Sequence, residues 1–153
     1  MFEKQAWMQR AGEFPQTDTE YFNLLSRAVF SAGLGPKVVE SRWGDITTAF
    51  HGFEPGEVCL MQEADVTRLL GDPAVIRNRR KIEAVIKNAG VFQECIKEHA
   101  SFRAYLDALG ANVDLDAAAD ALSRTFAYLG RTSALFFLFS AGWRPREVQE
   151  RLE

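Results

Sequence analysis

An all-α domain is predicted by three observations on the sequence. Apolar residues recur at three- and four-residue spacing from near the start of the chain to its end. Hydroxyl and acidic residues stand where these periodic runs begin, and glycines or prolines where they stop. No stretch alternates apolar and polar residues as a half-buried strand does. At 153 residues, 47% hydrophobic and 25% charged, the chain is long enough for one sizeable core and short for two. Residues 1–153 therefore read as a single helical domain.

The elements follow in order. Thr17-Asp18-Thr19-Glu20 has the S/T-x-x-E form that opens a helix, and Phe22, Leu25, Val29 and Ala32 follow as its core stripe, ending near Gly33. Pro36 fits the first turn of a short second helix, where its missing N–H is harmless, with Val38, Val39 and Trp43 facing inward. Asp45 is expected to cap a third helix carrying Ile46, Ala49 and Phe50. Phe53-Glu54-Pro55-Gly56 then turns the chain into a fourth, with Val58, Leu60 and Met61. Residues 63–70 form another, ended by Gly71-Asp72-Pro73, and a long helix follows with Ile82, Val85, Ile86, Ala89, Phe92 and Ile96 on one side. Ser101 caps a helix of Phe102, Tyr105, Leu106 and Leu109 closed by Gly110, and Asp114 or Asp116 starts the next, with Ala118, Leu122 and Phe126. Residues 134–141 are apolar nearly all round and predict a buried helix; residues 145–152 predict a last amphipathic one. Eight to ten helices joined by short turns result.

Charge is distributed unevenly along this chain. Arg77, Arg79, Arg80 and Lys81 place four positive charges in five residues at the head of the long helix. From residue 68 to residue 90 six Lys or Arg face two acids, a net of +4 in a chain of −3, which leaves −7 for the rest. A basic stripe confined to one element is the footprint of a surface that neutralises phosphates and releases counterions, although an ordinary solvated helix face has the same composition. A second candidate is the turn Leu129-Gly130-Arg131-Thr132-Ser133. A glycine turn opening into a helix leaves backbone N–H groups free at a positive helix end, where a phosphate oxygen can be held; the same pattern also simply joins two packed helices.

Glu40, following Val38-Val39, and Asp45, near Trp43, are the carboxylates expected to lie near a pocket, and are the candidate catalytic groups. Pairing of Glu40 with Lys37 or Arg42, and capping by Asp45, are their structural alternatives. Trp7 and Trp43 are candidates for stacking on a nucleobase, or else core residues. Cys59, Cys95, His51 and His99 lack metal-ligand spacing, and no serine lies in a G-x-S-x-G elbow. No metal and no cofactor are expected. The two cysteines suit buried thiols in a reducing compartment, and the sequence offers neither a leader pattern nor an apolar run that would cross a bilayer. A cytoplasmic protein that does not engage membranes is expected.

Phe50-His51-Gly52-Phe53-Glu54-Pro55, Met61-Gln62-Glu63-Ala64-Asp65-Val66-Thr67-Arg68-Leu69-Leu70, and Ile76-Arg77-Asn78-Arg79-Arg80-Lys81-Ile82 with Asn88-Ala89 together resemble bacterial DNA-3-methyladenine glycosylase I. Pro15-Gln16-Thr17-Asp18 and Ala32-Gly33-Leu34 upstream, with Tyr128-Leu129-Gly130-Arg131-Thr132 and Phe139-Ser140-Ala141-Gly142 downstream, extend the likeness over residues 14–143. The resemblance implies a helix-hairpin-helix DNA glycosylase fold. In it the hairpin amides at Leu129 to Ser133 grip the DNA backbone and a damaged nucleotide turns out into a pocket between helices. It implies hydrolysis of the N-glycosidic bond of an alkylated purine in base-excision repair, with DNA as partner and no cofactor or obligate protein partner. An N3-alkylated adenine already carries positive charge and leaves without protonation, so such an enzyme binds the base and stabilises sugar charge.

Departures from the family are equally specific. The family's base-reading glutamate aligns with Ala28, beside Val29, and its pocket tryptophan with Pro36; its zinc-binding Cys and His residues near the two termini are missing. Glu40 or Asp45 would then stand in for the lost acid. The alternative is a non-catalytic DNA-binding module on the same scaffold, and a third is a protein-interaction domain without DNA affinity.

Overall fold

The first helix occupies the middle of the molecule. In the computed structural model, which describes residues 2–144, α1 (Asp18–Ser31) is packed on one side by α6 (Arg79–His99) and on another by α9 (Arg131–Ser140). The Thr17 hydroxyl accepts the Glu20 N–H at 3.1 Å, and the Glu20 carboxylate reaches back to accept the Gln16 N–H at 2.8 Å. Two otherwise orphaned donors are thereby satisfied.

From Leu25 to Ser31 every residue of α1 is buried, so Ser26, Arg27 and Ser31 are enclosed along with the apolar stripe. Spacing alone leaves that polar side wet. The N-terminal segment covers it: the Gln9 N–H donates to Ser140 O at 2.9 Å, the Gly12 N–H to Gly142 O at 3.0 Å, and Phe2 sits edge-on to Phe136 with ring centroids 5.3 Å apart. Gly142 is needed for this closure. Its φ is +92°, and a Cβ there would stand 2.6 Å from Arg10 O.

Short helices make up the next layer. α2 (Pro36–Glu40), α3 (Trp43–Ala49), a 3₁₀ turn at His51–Phe53 and α4 (Pro55–Val58) are held by a stack in which Trp43 lies on Phe53 at 5.1 Å and Phe53 on Phe50 at 5.2 Å. α5 (Glu63–Leu70) leads into α6, the longest helix, against which α7 (Phe102–Ala108) packs by stacking Phe102 on Phe92 at 4.2 Å. α8 (Leu115–Thr125) and α9 pack against each other and close the fold. Phe22, Phe92, Phe102 and Phe137 are fully enclosed, and burying each contributes about 2–3 kcal/mol.

The all-α expectation holds: the described residues contain nine α-helices and no strand. None of those helices is long and apolar enough to cross a membrane. Ser101 and Asp114 cap as expected, each accepting an N–H three residues on. Asp45 does not cap. α3 begins at Trp43, from Arg42, because the ring is drawn into the aromatic stack, and Asp45 is left exposed within the first turn. Leu60, expected inside with α4, is instead 74% exposed, because that helix is a single turn ending at Val58. The helix expected over residues 145–152 lies outside the described residues.

Candidate nucleic-acid interface

The turn between α8 and α9 reaches the surface beside the head of α6. Tyr128 takes a left-handed backbone (φ 55°), Leu129 anchors the turn in the core at 3% exposure, and Gly130, Arg131 and Thr132 are exposed. Gly130 is the N-cap of α9 and supplies no side-chain cap, and the first intrahelical bond is from the Ala134 N–H to Gly130 O at 2.8 Å. The N–H groups of residues 131–133 therefore lie at the positive end of α9, outside its hydrogen-bond ladder.

Two side chains of α6 fix this turn. Asn88, 1% exposed, donates from Nδ2 to Ala127 O at 3.0 Å and accepts the Ala127 N–H on Oδ1 at 2.7 Å. Lys81 passes 5.8 Å from the centre of the Tyr128 ring. Its ammonium donates to Phe30 O at 2.8 Å and Ala32 O at 2.7 Å, closing the C-terminal end of α1. Lys81 is thus 3% exposed, and burial draws its pKa below the usual lysine value.

The expected cationic ridge accordingly divides. Arg77 and Arg80 are exposed and form no ion pair among the described residues. Arg79 is held at 2.8 Å from Glu63 and 3.0 Å from Glu83, which raises its pKa. Arg131 points back onto α8, 3.2 Å from Asp116 and 3.3 Å from Asp120. Lys81 is interior. Counting charges along the sequence could not separate these four situations.

A cavity of about 350 Å³ opens next to the turn, walled by Ala28, Ser31, Ala32 and Gly33 of α1 and its exit, by Thr132 and Ser133 of α9, and by Phe2 and Phe136. Its size is that of a small-ligand site. A larger one, about 610 Å³, lies among Phe14, Leu115, Leu138 and Trp143 and touches none of residues 129–133. Proximity to the free amides, not volume, singles out the former.

Among the described residues no carboxylate lines the cavity beside the turn. Glu40 is exposed at the end of α2, and its charge reaches Arg27. Asp45 lines a separate polar depression with His51, Asp65, Arg68 and Asp72, and the structure does not bring it to the turn. Trp43 is a core residue, 7% exposed, with its Nε1–H donated to Asn23 Oδ1 at 2.9 Å. Trp7 is half-buried and packs on Phe136 at 6.0 Å. No group of three or more His, Cys, Asp or Glu among the described residues is arranged to hold a metal ion.

Arg27 is the residue that sequence reasoning missed. Its guanidinium lies 3.7 Å above the centre of the Trp7 ring and 5.5 Å from that of Trp43, at 5% exposure. Burial lowers its pKa to about 10, with Glu40 opposing, so it stays charged at neutral pH. Its one legible signal is a charge inside the apolar run Leu24-Leu25-Ser26-Arg27-Ala28-Val29-Phe30. Asn88, a polar residue on the inward side of α6, carries a similar signal.

Comparison with known proteins places this geometry. The family model for methyladenine glycosylase matches residues 4–142. DNA-3-methyladenine glycosylase 1 of Escherichia coli (strain K12) is 38% identical over 79 residues, which are 51% of this chain and 42% of that protein. The matched stretch spans less than half the length of that relative. A Staphylococcus aureus structure addressing 3-methyladenine recognition by 3-methyladenine DNA glycosylase I superposes with TM-score 0.77 at 24% identity, covering 90% of this chain and 82% of that one. A solution structure of a 3-methyladenine DNA glycosylase I gives 0.70 at 28% identity, covering 85% and 80%.

Proposed function

Since the chain belongs to the methyladenine glycosylase family, we propose that it binds damaged duplex DNA and hydrolyses the N-glycosidic bond of an alkylated purine, as a base-excision repair enzyme. One observation carries this reading. The uncapped amides of residues 131–133 follow a turn that Asn88 and Lys81 tie to α6, a cavity adjoins, and Arg77 and Arg80, exposed and unpaired, flank Lys81 in the sequence at the head of that helix. Amides and Arg77 and Arg80 hold phosphates of one strand, and the damaged nucleotide turns out of the stack into the cavity.

The bond from C1′ of the deoxyribose to the base nitrogen breaks, and the base departs with the electron pair. Water adds to C1′ and releases a proton, leaving free base and an abasic sugar. Positive charge develops on the sugar between these events. Glu40, whose charge acts on Arg27 of α1, the helix that also lines the cavity, is the carboxylate proposed to offset that charge. Asp45, in its separate depression, has no part in this step. The two free thiols, Cys59 and Cys95, support a reducing, cytoplasmic location.

A second reading is favoured by a cavity wall that carries no carboxylate among the described residues: a module that binds DNA without excising a base. Incubation with alkylated duplex DNA, with chromatography of the released bases, separates the two. Excision predicts free alkylated purine, diminished at least ~10-fold in Glu40→Gln. Duplex binding with no released base above a heat-inactivated control would replace the enzyme by the module.

A further inference from the structure

Arg79 and Arg131 are each held by two carboxylates, but not alike. Arg79 joins α6 to α5 through hydrogen bonds of 2.8 Å to Glu63 and 3.0 Å to Glu83. Arg131 stands farther from its partners, 3.2 Å from Asp116 and 3.3 Å from Asp120, and 56% of its side chain is exposed. Both of those carboxylates belong to α8 and are open to water. Arg79 is a tight strut between helices; Arg131 rests in a looser grip, and exposed pairs of that kind add little to stability.

The place of Arg131 in the chain gives its grip a meaning. It is the first residue of α9, whose N–H groups at residues 131–133 are free and whose first turn holds no acid. A cation at the positive end of a helix is unfavourable, and Asp116 and Asp120 offset it from outside. A phosphate seated on the same amides would offset it equally well. That phosphate would be drawn by the guanidinium and repelled by the two carboxylates, so phosphate and carboxylates compete for one arginine. The same end of α9 borders the cavity through Thr132 and Ser133, and in the wall they share the buried Ser31 keeps an Oγ without a partner.

Resting on the DNA reading above, we infer that Arg131 is an exchangeable phosphate contact: Asp116 and Asp120 hold it in the free protein and yield it to a DNA phosphate on binding. The two carboxylates thereby oppose the binding of any duplex, damaged or not. They set how tightly the protein grips DNA along its length and leave the choice of lesion to the cavity. Arg79, more tightly tied, stays with Glu63 and Glu83.

The test is affinity for a fluorescently labelled undamaged duplex, read by anisotropy across a series of salt concentrations. Arg131→Ala is expected to flatten the slope of log Kd against log salt by ~0.9, the contribution of one phosphate. Asp116→Asn/Asp120→Asn keeps the shape of both side chains and is expected to tighten binding at low salt at least ~3-fold. Its slope stays that of the wild type, because the same phosphates are neutralised. If Arg131 instead remains on α8 in the complex, Arg131→Ala leaves the slope as it was. The asparagine pair then steepens it by ~0.9, having set free a guanidinium that the wild type withholds. Either result overturns the inference. Should Arg131→Ala not fold, the asparagine pair decides alone: tighter binding at an unchanged slope supports the exchange, and a steeper slope or an unchanged affinity refutes it. Failure of the DNA reading looks different, since the wild type itself would then show no salt-dependent binding and the exchange would fall with it.

Discussion

Asn88 holds the α8–α9 turn by giving Ala127 both a donor and an acceptor, as a neighbouring strand would. Replacing it by alanine leaves two partly buried backbone groups of Ala127 without their partner. Asn88→Ala is expected to lower stability by about 2–4 kcal/mol, read from the midpoint of urea unfolding, with Lys87→Ala as the exposed control. An unchanged midpoint would show that the turn is held by Leu129 and the α8–α9 packing alone. At this scale the sequence is hardest to read. Arg27 stands in the primary structure as one charge in an apolar run, and what encloses it is a non-periodic segment some twenty residues earlier. Periodicity reports on a helix's own stripe and is blind to a cover that has none.

Among elements, α6 divides its basic residues between the surface and the interior. Arg77 and Arg80 face solvent, Arg79 bridges to α5 through Glu63, and Lys81 joins α6 to the end of α1. Lys81→Met keeps the length of the side chain but deprives Phe30 O and Ala32 O of their donor. Backbone amides of residues 32–35 are then expected to exchange with solvent at least ~10-fold faster, matching about 1.4 kcal/mol of local opening. Protection unchanged from the wild type would relegate Lys81 to a filler. Helix starts governed by local chemistry were legible: Thr17, Ser101 and Asp114 each cap through their own side chains. Asp45 was not, since the start of α3 is set by the seat of Trp43 in an aromatic stack contributed by residues 50 and 53.

Over the whole molecule, a net charge of −3 coexists with free amides at the start of α9 and with Arg77 and Arg80, exposed and unpaired, at the head of α6. The likeness to a glycosylase family and the helical class were legible because they rest on motifs spread along the chain, and the family model spans residues 4–142. Which members of the charged cluster are available was not, because ion pairing with Glu63, Asp116 and Asp120 joins helices that sequence reading does not connect, whereas the i,i+4 pair of Arg79 with Glu83 alone was open to it. Affinity for an undamaged duplex, measured across a series of salt concentrations, tests this surface most directly. In the wild type log Kd should rise with log salt, and Arg77→Ala/Arg80→Ala should flatten the slope by about 1.8, or ~0.9 for each phosphate no longer neutralised, with Arg79→Ala changing it by less than ~0.9. A slope that is flat in the wild type, or that is the same in the double variant, would contradict the surface proposed to hold DNA.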